Sequence, residues 1–121
     1  MSYQTLYMTA MKTLELIKEI IATYQRHGWK LRRVLLRPAT RAEVNHQAGE
    51  FLKEARFVDA EFDALWFARP SHQGREAWEL RLLAPQPYAL FEAFEPDESE
   101  EEREEARREM ENRMSEHAAQ S

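Results

Sequence analysis

The sequence has no cysteine among its 121 residues. That excludes a disulfide scaffold, thiolate metal sites and a cysteine nucleophile, and it suits a reducing compartment. Glycine is scarce as well. Gly28, Gly49 and Gly74 are isolated, so there is no glycine-rich loop to hold phosphates against backbone N–H groups. No apolar run approaches the ~20 residues of a membrane-spanning helix. The opening MSYQTLYMTAMK has no basic segment leading into an apolar one, so no secretory leader is expected and the expected location is cytoplasmic. His27, His46, His72 and His117 are scattered, with no HxH or HExxH pair to found a metal site.

Hydrophobic residues make up 43% of the chain, enough for one core at single-domain length. The net charge of −5 is unevenly spread. Residues 96–121 carry ten acids and four bases, a net −6, which leaves residues 1–95 at +1. This asymmetry reads as a nearly neutral α+β domain over 1–95 followed by an acidic C-terminal helix and frayed tail over 96–121.

The stretch from Phe62 to Phe94 organises the rest. Ala64, Trp66 and Ala68 alternate with Leu65, Phe67 and Arg69. Trp78, Leu80 and Leu82 alternate with Glu79 and Arg81, and Tyr88, Leu90 and Phe94 alternate with Phe91. Period-two patterning predicts three strands. Pro70 to Arg75 and Pro85-Gln86-Pro87 are turns by composition. Upstream, Leu6, Ala10, Leu14, Ile17, Ile21 and Tyr24 give one face of a helix over 3–27, with Ser2 as its N-cap and Gly28 as its C-terminal stop. Trp29 to Leu36 is a strand of broken alternation, in which Arg33 interrupts Trp29, Leu31 and Leu35. Thr40-Arg41-Ala42-Glu43 is a capping-box pattern for a second helix along Val44, Ala48, Phe51, Leu52 and Ala55, with Gly49 a weak point. Phe57 and Val58 are too apolar for a free loop. After Pro96-Asp97 a last helix runs to about Glu116, capped by Ser99 or Asp97. Its apolar stripe is thin: Ala106, Met110, Met114 and Ala118. Such a helix lies lightly on the body, projects, or pairs with another copy.

The expected fold is α+β, in chain order α-β-α-β-β-β-α. An antiparallel sheet of about four strands has helices packed on one face and a long charged C-terminal helix.

Three constellations bear on chemistry. Glu43-x-x-His46 with Glu50 resembles half of a bundle metal site, but that site needs the unit twice on facing helices, and a solvated helix face is the simpler reading. Ser71 and His72 with Asp59 or Asp63 lack any nucleophile elbow. Arg26, Lys30, Arg32, Arg33, Arg37 and Arg41 surround Trp29. This is the composition of a nucleic-acid surface, with Arg32, Arg33 and Arg37 as its contact residues. The acidic tail could instead neutralise the cluster internally.

No enzyme activity and no cofactor are expected. The favoured reading is a non-enzymatic interaction module, a homodimer. Val34, Leu65, Phe67 and Phe91 would form an apolar sheet face, and Met110 and Met114 would offer a helix surface, for a second copy. The alternatives are a small chaperone or adaptor for a peptide or protein client, a small-molecule domain with a ligand at Trp66 or Trp78, and a nucleic-acid binder.

Overall fold

The computed structural model describes residues 3–48 and 55–120, with side chains over 12–44 and 55–120. Expectations for Ser2, Gly49, Glu50, Phe51 and Leu52, and for the side chains of Leu6, Ala10, Ala48 and His46, lie outside the described residues. The elements are α1 (Tyr3–Arg26), β1 (Lys30–Leu36), α2 (Pro38–Ala48), β2 (Arg56–Asp59), β3 (Ala64–Pro70), β4 (Glu76–Leu82), β5 (Ala89–Phe94) and α3 (Glu100–Ala119). The strands form one sheet in the order β2-β1-β3-β4-β5. All neighbours are antiparallel except β1 and β2, which run parallel. A parallel pair needs a crossover connection, and α2 supplies it. The fold is therefore α+β, with a mostly antiparallel sheet.

Local chemistry places the ends of these elements. Gly28 has φ +85°. Its N–H donates to the Gln25 carbonyl and that of Trp29 to the Tyr24 carbonyl, the paired bonds of a Schellman stop. The start of α2 differs from expectation. The helix opens on Pro38, and the Arg37 carbonyl accepts the Arg41 N–H at 2.9 Å. Proline fits the first helical position because its missing N–H would be unsatisfied there anyway. Thr40 thus sits inside the helix, where its hydroxyl donates to Asp63 Oδ2 at 2.8 Å. Ser99 caps α3 in a full capping box with Glu102; Asp97 takes no part.

The broken alternation of β1 is a bulge. Leu31 faces Phe67 and Arg33 faces Trp66, so the register slips at Arg32. One extra residue swaps the faces beyond it. Val34 and Leu36 thereby join Trp29 and Leu31 on one side, and Arg33 and Leu35 turn to the other.

Two cores result. Ile17, Ile20, Ile21, Trp29, Val34, Leu36, Val44, Leu65, Phe67 and Ala77 pack between the sheet and α1 and α2. Leu35, Phe62, Ala64, Trp66, Trp78, Leu80, Phe94, Met110 and Met114 pack between the sheet and α3. Two expectations change here. The sheet has five strands, because Phe57 and Val58 form β2. Its second face is not bare either, because α3 lies across it.

Candidate interaction surfaces

The acidic helix docks around one buried arginine. Arg107 is 1% exposed. Its guanidinium lies 4.3 Å from the Trp78 ring centre and 5.6 Å from that of Phe94, where the ring faces attract a cation. The same group donates to Glu104 at 2.8 Å and to Glu100. Glu104 also receives a two-pronged bond from Arg33, at 3.2 and 3.0 Å. These contacts with Arg33 hold its carboxyl down at about 2, below the usual 4.5. The Trp66 indole donates to Glu111 at 2.8 Å, Arg103 reaches the Glu95 carbonyl at 2.8 Å, and His117 stacks on Tyr88. Only Met110 and Met114 bring buried apolar bulk from α3. Among the described residues no buried side-chain polar atom lacks a partner.

On the opposite face α1 packs by shape. Tyr24 stacks flat on Phe67, centres 4.1 Å apart, and its hydroxyl donates to Glu79. Burial first, and then the Glu79 hydrogen bond and charge, push the phenol pKa upward. From this helix Tyr24 reaches across β3 to β4. Beside it lie shallow clefts. One of about 360 Å³ is bounded by Leu16, Ile20, Tyr24, Arg81, Pro85 and Pro87. Another, of about 180 Å³, lies among Thr23, Tyr24, His27, Trp29 and Glu79.

The structure moves the expected interaction surface. Val34, Leu65 and Phe67 are fully buried, and Met110 and Met114 are buried on the sheet-facing side of α3. Their own chain covers them, because α1 takes one sheet face and α3 the other. Phe91 alone keeps its expected exposure. At 56% it is the one large apolar side chain exposed among the described residues, and it touches Trp29 edge-on. Trp66 and Trp78 are buried in the α3 core and do not line the clefts described above.

Phe91 sits in the middle of β5, a sheet edge. In this register Leu82 faces Tyr88, and the Leu82 N–H donates to the Tyr88 carbonyl. Antiparallel strands alternate, so Tyr88, Leu90, Glu92 and Phe94 point their backbone groups at β4. Ala89, Phe91 and Ala93 point theirs outward. Such a row is a ready template for another strand, and neither proline nor lysine interrupts it. The opposite edge, β2, has four residues and ends in Arg56 and Asp59.

Among the described residues the basic cluster is internally compensated at three points. Arg33 pairs with Glu104, Arg37 with Asp63 at 3.1 Å, and Arg41 with Asp59 at 3.2 Å. The bulge sets Arg32 beside Arg33 over Trp78, although neighbours in a regular strand point to opposite faces. Arg37 and Arg41 find their partners just before β3 and at the end of β2 rather than in the tail. Ser71 and His72 lie at one end of β3 and Asp63 at the other, so no triad assembles. The described residues hold no metal-binding group of three or more His, Cys, Asp or Glu, and no described helix is long and apolar enough to cross a membrane.

Sequence reasoning missed Arg107 and the outward row of β5. A lone arginine on the thin apolar stripe of α3, three residues before Met110, was the available signal for the first. The second depends on strand order, which the sequence does not carry. No protein family, curated protein or solved structure matches this chain.

Proposed function

We propose that this chain is a non-enzymatic protein-interaction module that associates with itself, and that β5 is its docking element. One observation carries the reading: the outward backbone row of Ala89, Phe91 and Ala93 is centred on the exposed Phe91. Strand addition to such an edge draws affinity from main-chain hydrogen bonds and specificity from the side chains on either side. Both large apolar faces of the sheet are already covered, which leaves this edge as the adhesive part of the described surface.

The test is solution mass by light scattering across a micromolar to millimolar series, for the wild type and for Ala93→Pro. Proline at an outward position removes an edge donor and leaves the β4 ladder intact. A mass that rises in the wild type and stays monomeric in an Ala93→Pro protein of unchanged circular dichroism supports the reading. Equal association in both proteins takes β5 out of it, and a monomer throughout refutes self-association.

A further inference from the structure

We infer that the second copy docks antiparallel on β5, with a two-fold axis passing between the two Phe91 residues and joining the two sheets into one. This rests on the reading of β5 as the docking edge and adds the register. The free row has natural limits. One step beyond Ala89 in the outward phase is Pro87, which has no N–H to give. One step beyond Ala93 is Glu95, whose N–H already donates to Glu98 at 2.8 Å and whose carbonyl already accepts Arg103 at 2.8 Å. The usable segment is therefore Ala89, Phe91 and Ala93, and its centre is Phe91.

A two-fold axis at that centre uses every free group. Phe91 faces Phe91 of the other copy, Ala89 faces Ala93, and each such pair exchanges both backbone bonds. At the ends Pro87 meets Glu95, and both are already closed to further pairing. On the α1 side the two Phe91 rings lie against each other, which removes the exposed aromatic from water. On the α3 side Glu92 faces Leu90, so the carboxylates of the two copies are not opposed. Centring the pairing on Glu92 instead would set those carboxylates face to face and would put Ala89 against Glu95, whose backbone groups are already taken, so fewer ladder bonds form. Centring it on Ala89 would put Pro87 against Phe91. The contact is short and belongs with the smaller interfaces, so association should emerge toward the upper end of the concentration series.

Because the chain has no cysteine, the register can be read by disulfide trapping. The proposed ladder puts Leu90 opposite Glu92 as a non-hydrogen-bonded pair, about 4.5 Å between Cα atoms. Two copies of Glu92, or two of Leu90, are then about 8 Å apart, outside the ~7 Å disulfide limit. Leu90→Cys and Glu92→Cys are oxidised singly and as a mixture. The expected result is a cross-linked dimer in the mixture at several-fold the yield of either protein alone. Ala89→Cys mixed with Ala93→Cys repeats the test on the other face, should Leu90→Cys fail to fold. Self-links equal to the mixed link, or no link in either mixture, overturn the two-fold on Phe91. If Ala93→Pro still abolishes association in that case, the docking edge stands and only the register falls. If Ala93→Pro leaves association unchanged, the underlying reading falls with it.

Discussion

The two faces of this sheet are held by different physics. On the α1 side Ile17, Ile20, Ile21, Val34, Leu65 and Phe67 interlock, and Tyr24 lies flat on Phe67. On the α3 side a helix with almost no amphipathic character is pinned by one buried arginine, a shared glutamate and a pair of methionines. Burial of apolar area is non-directional and needs no partner of defined geometry. A buried guanidinium holds only where ring faces and carboxylates meet its fork. The first face should therefore carry most of the stability and the second most of the sensitivity to charge.

Truncation on the apolar face should produce the largest effect. Phe67→Ala removes a fully buried ring that also supports Tyr24, and should cost about 3–5 kcal/mol. Urea unfolding at neutral pH measures it. A loss below about 1 kcal/mol would mean that α1 is not packed on β3 as described.

Arg107 gives the sharper contrast. Its carboxylate partners are open to water, Glu100 at 76% and Glu104 at 40% exposure, so they rehydrate when the guanidinium goes. Arg107→Ala should then cost about 1–3 kcal/mol, mainly through the hole left between Trp78 and Phe94. Arg107→Met refills that space and should recover more than half of the loss, since a hydrophobic replacement often matches a buried ion pair. If methionine were as damaging as alanine, charge rather than packing would fix α3.

These contrasts also show what was legible beforehand. The three strands from Ala64 to Phe94 were plain, because β3 and β4 alternate without interruption. So was α1, whose stripe ends at a left-handed glycine. In β1 a bulge at Arg32 hid the face assignment, since one inserted residue inverts every side chain beyond it. Phe57 and Val58 read as too apolar for a free loop but not as a strand, because four residues are too few to display a period. The bare sheet face was an error of counting: α3 offered few apolar residues, and aromatic-stacked arginine was not counted as core. Of the side chains expected to be exposed only Phe91 is, because exposure follows from which strand ends up at the edge.

A smaller effect lies at the N-terminus of α3. Ser99 accepts the Glu102 N–H at 3.1 Å, and Glu102 accepts the Ser99 N–H at 3.1 Å. Ser99→Ala should cost about 1 kcal/mol. The loss should be the same in the Arg107→Met background, because the cap shares no partner with that site. A strongly coupled loss would tie the cap to the docking of the whole helix.

The smallest expected effect separates the faces by pH. The Glu104 carboxyl is lowered to about 2 from 4.5 by its contacts with Arg33 and Arg107. Its stabilising contribution is therefore complete above about 4.5 and fades as the pH falls toward 2. The Tyr24 phenol is raised, by burial and by Glu79. Its contribution is complete below the ordinary phenol value of about 10 and fades as the pH climbs above it. Acid should loosen α3 first and alkali α1 first. Each face carries its own reporter, Trp66 and Trp78 under α3 and Trp29 beside α1. Trp29→Phe leaves emission from the α3 face, and that emission should shift between pH 4.5 and 2. Adding Glu104→Gln should flatten much of the shift, because an amide has no proton to gain. Screening at the exposed Glu104 keeps the change modest. An acid response carried by Trp29 instead would mean that the two faces are not electrostatically distinct.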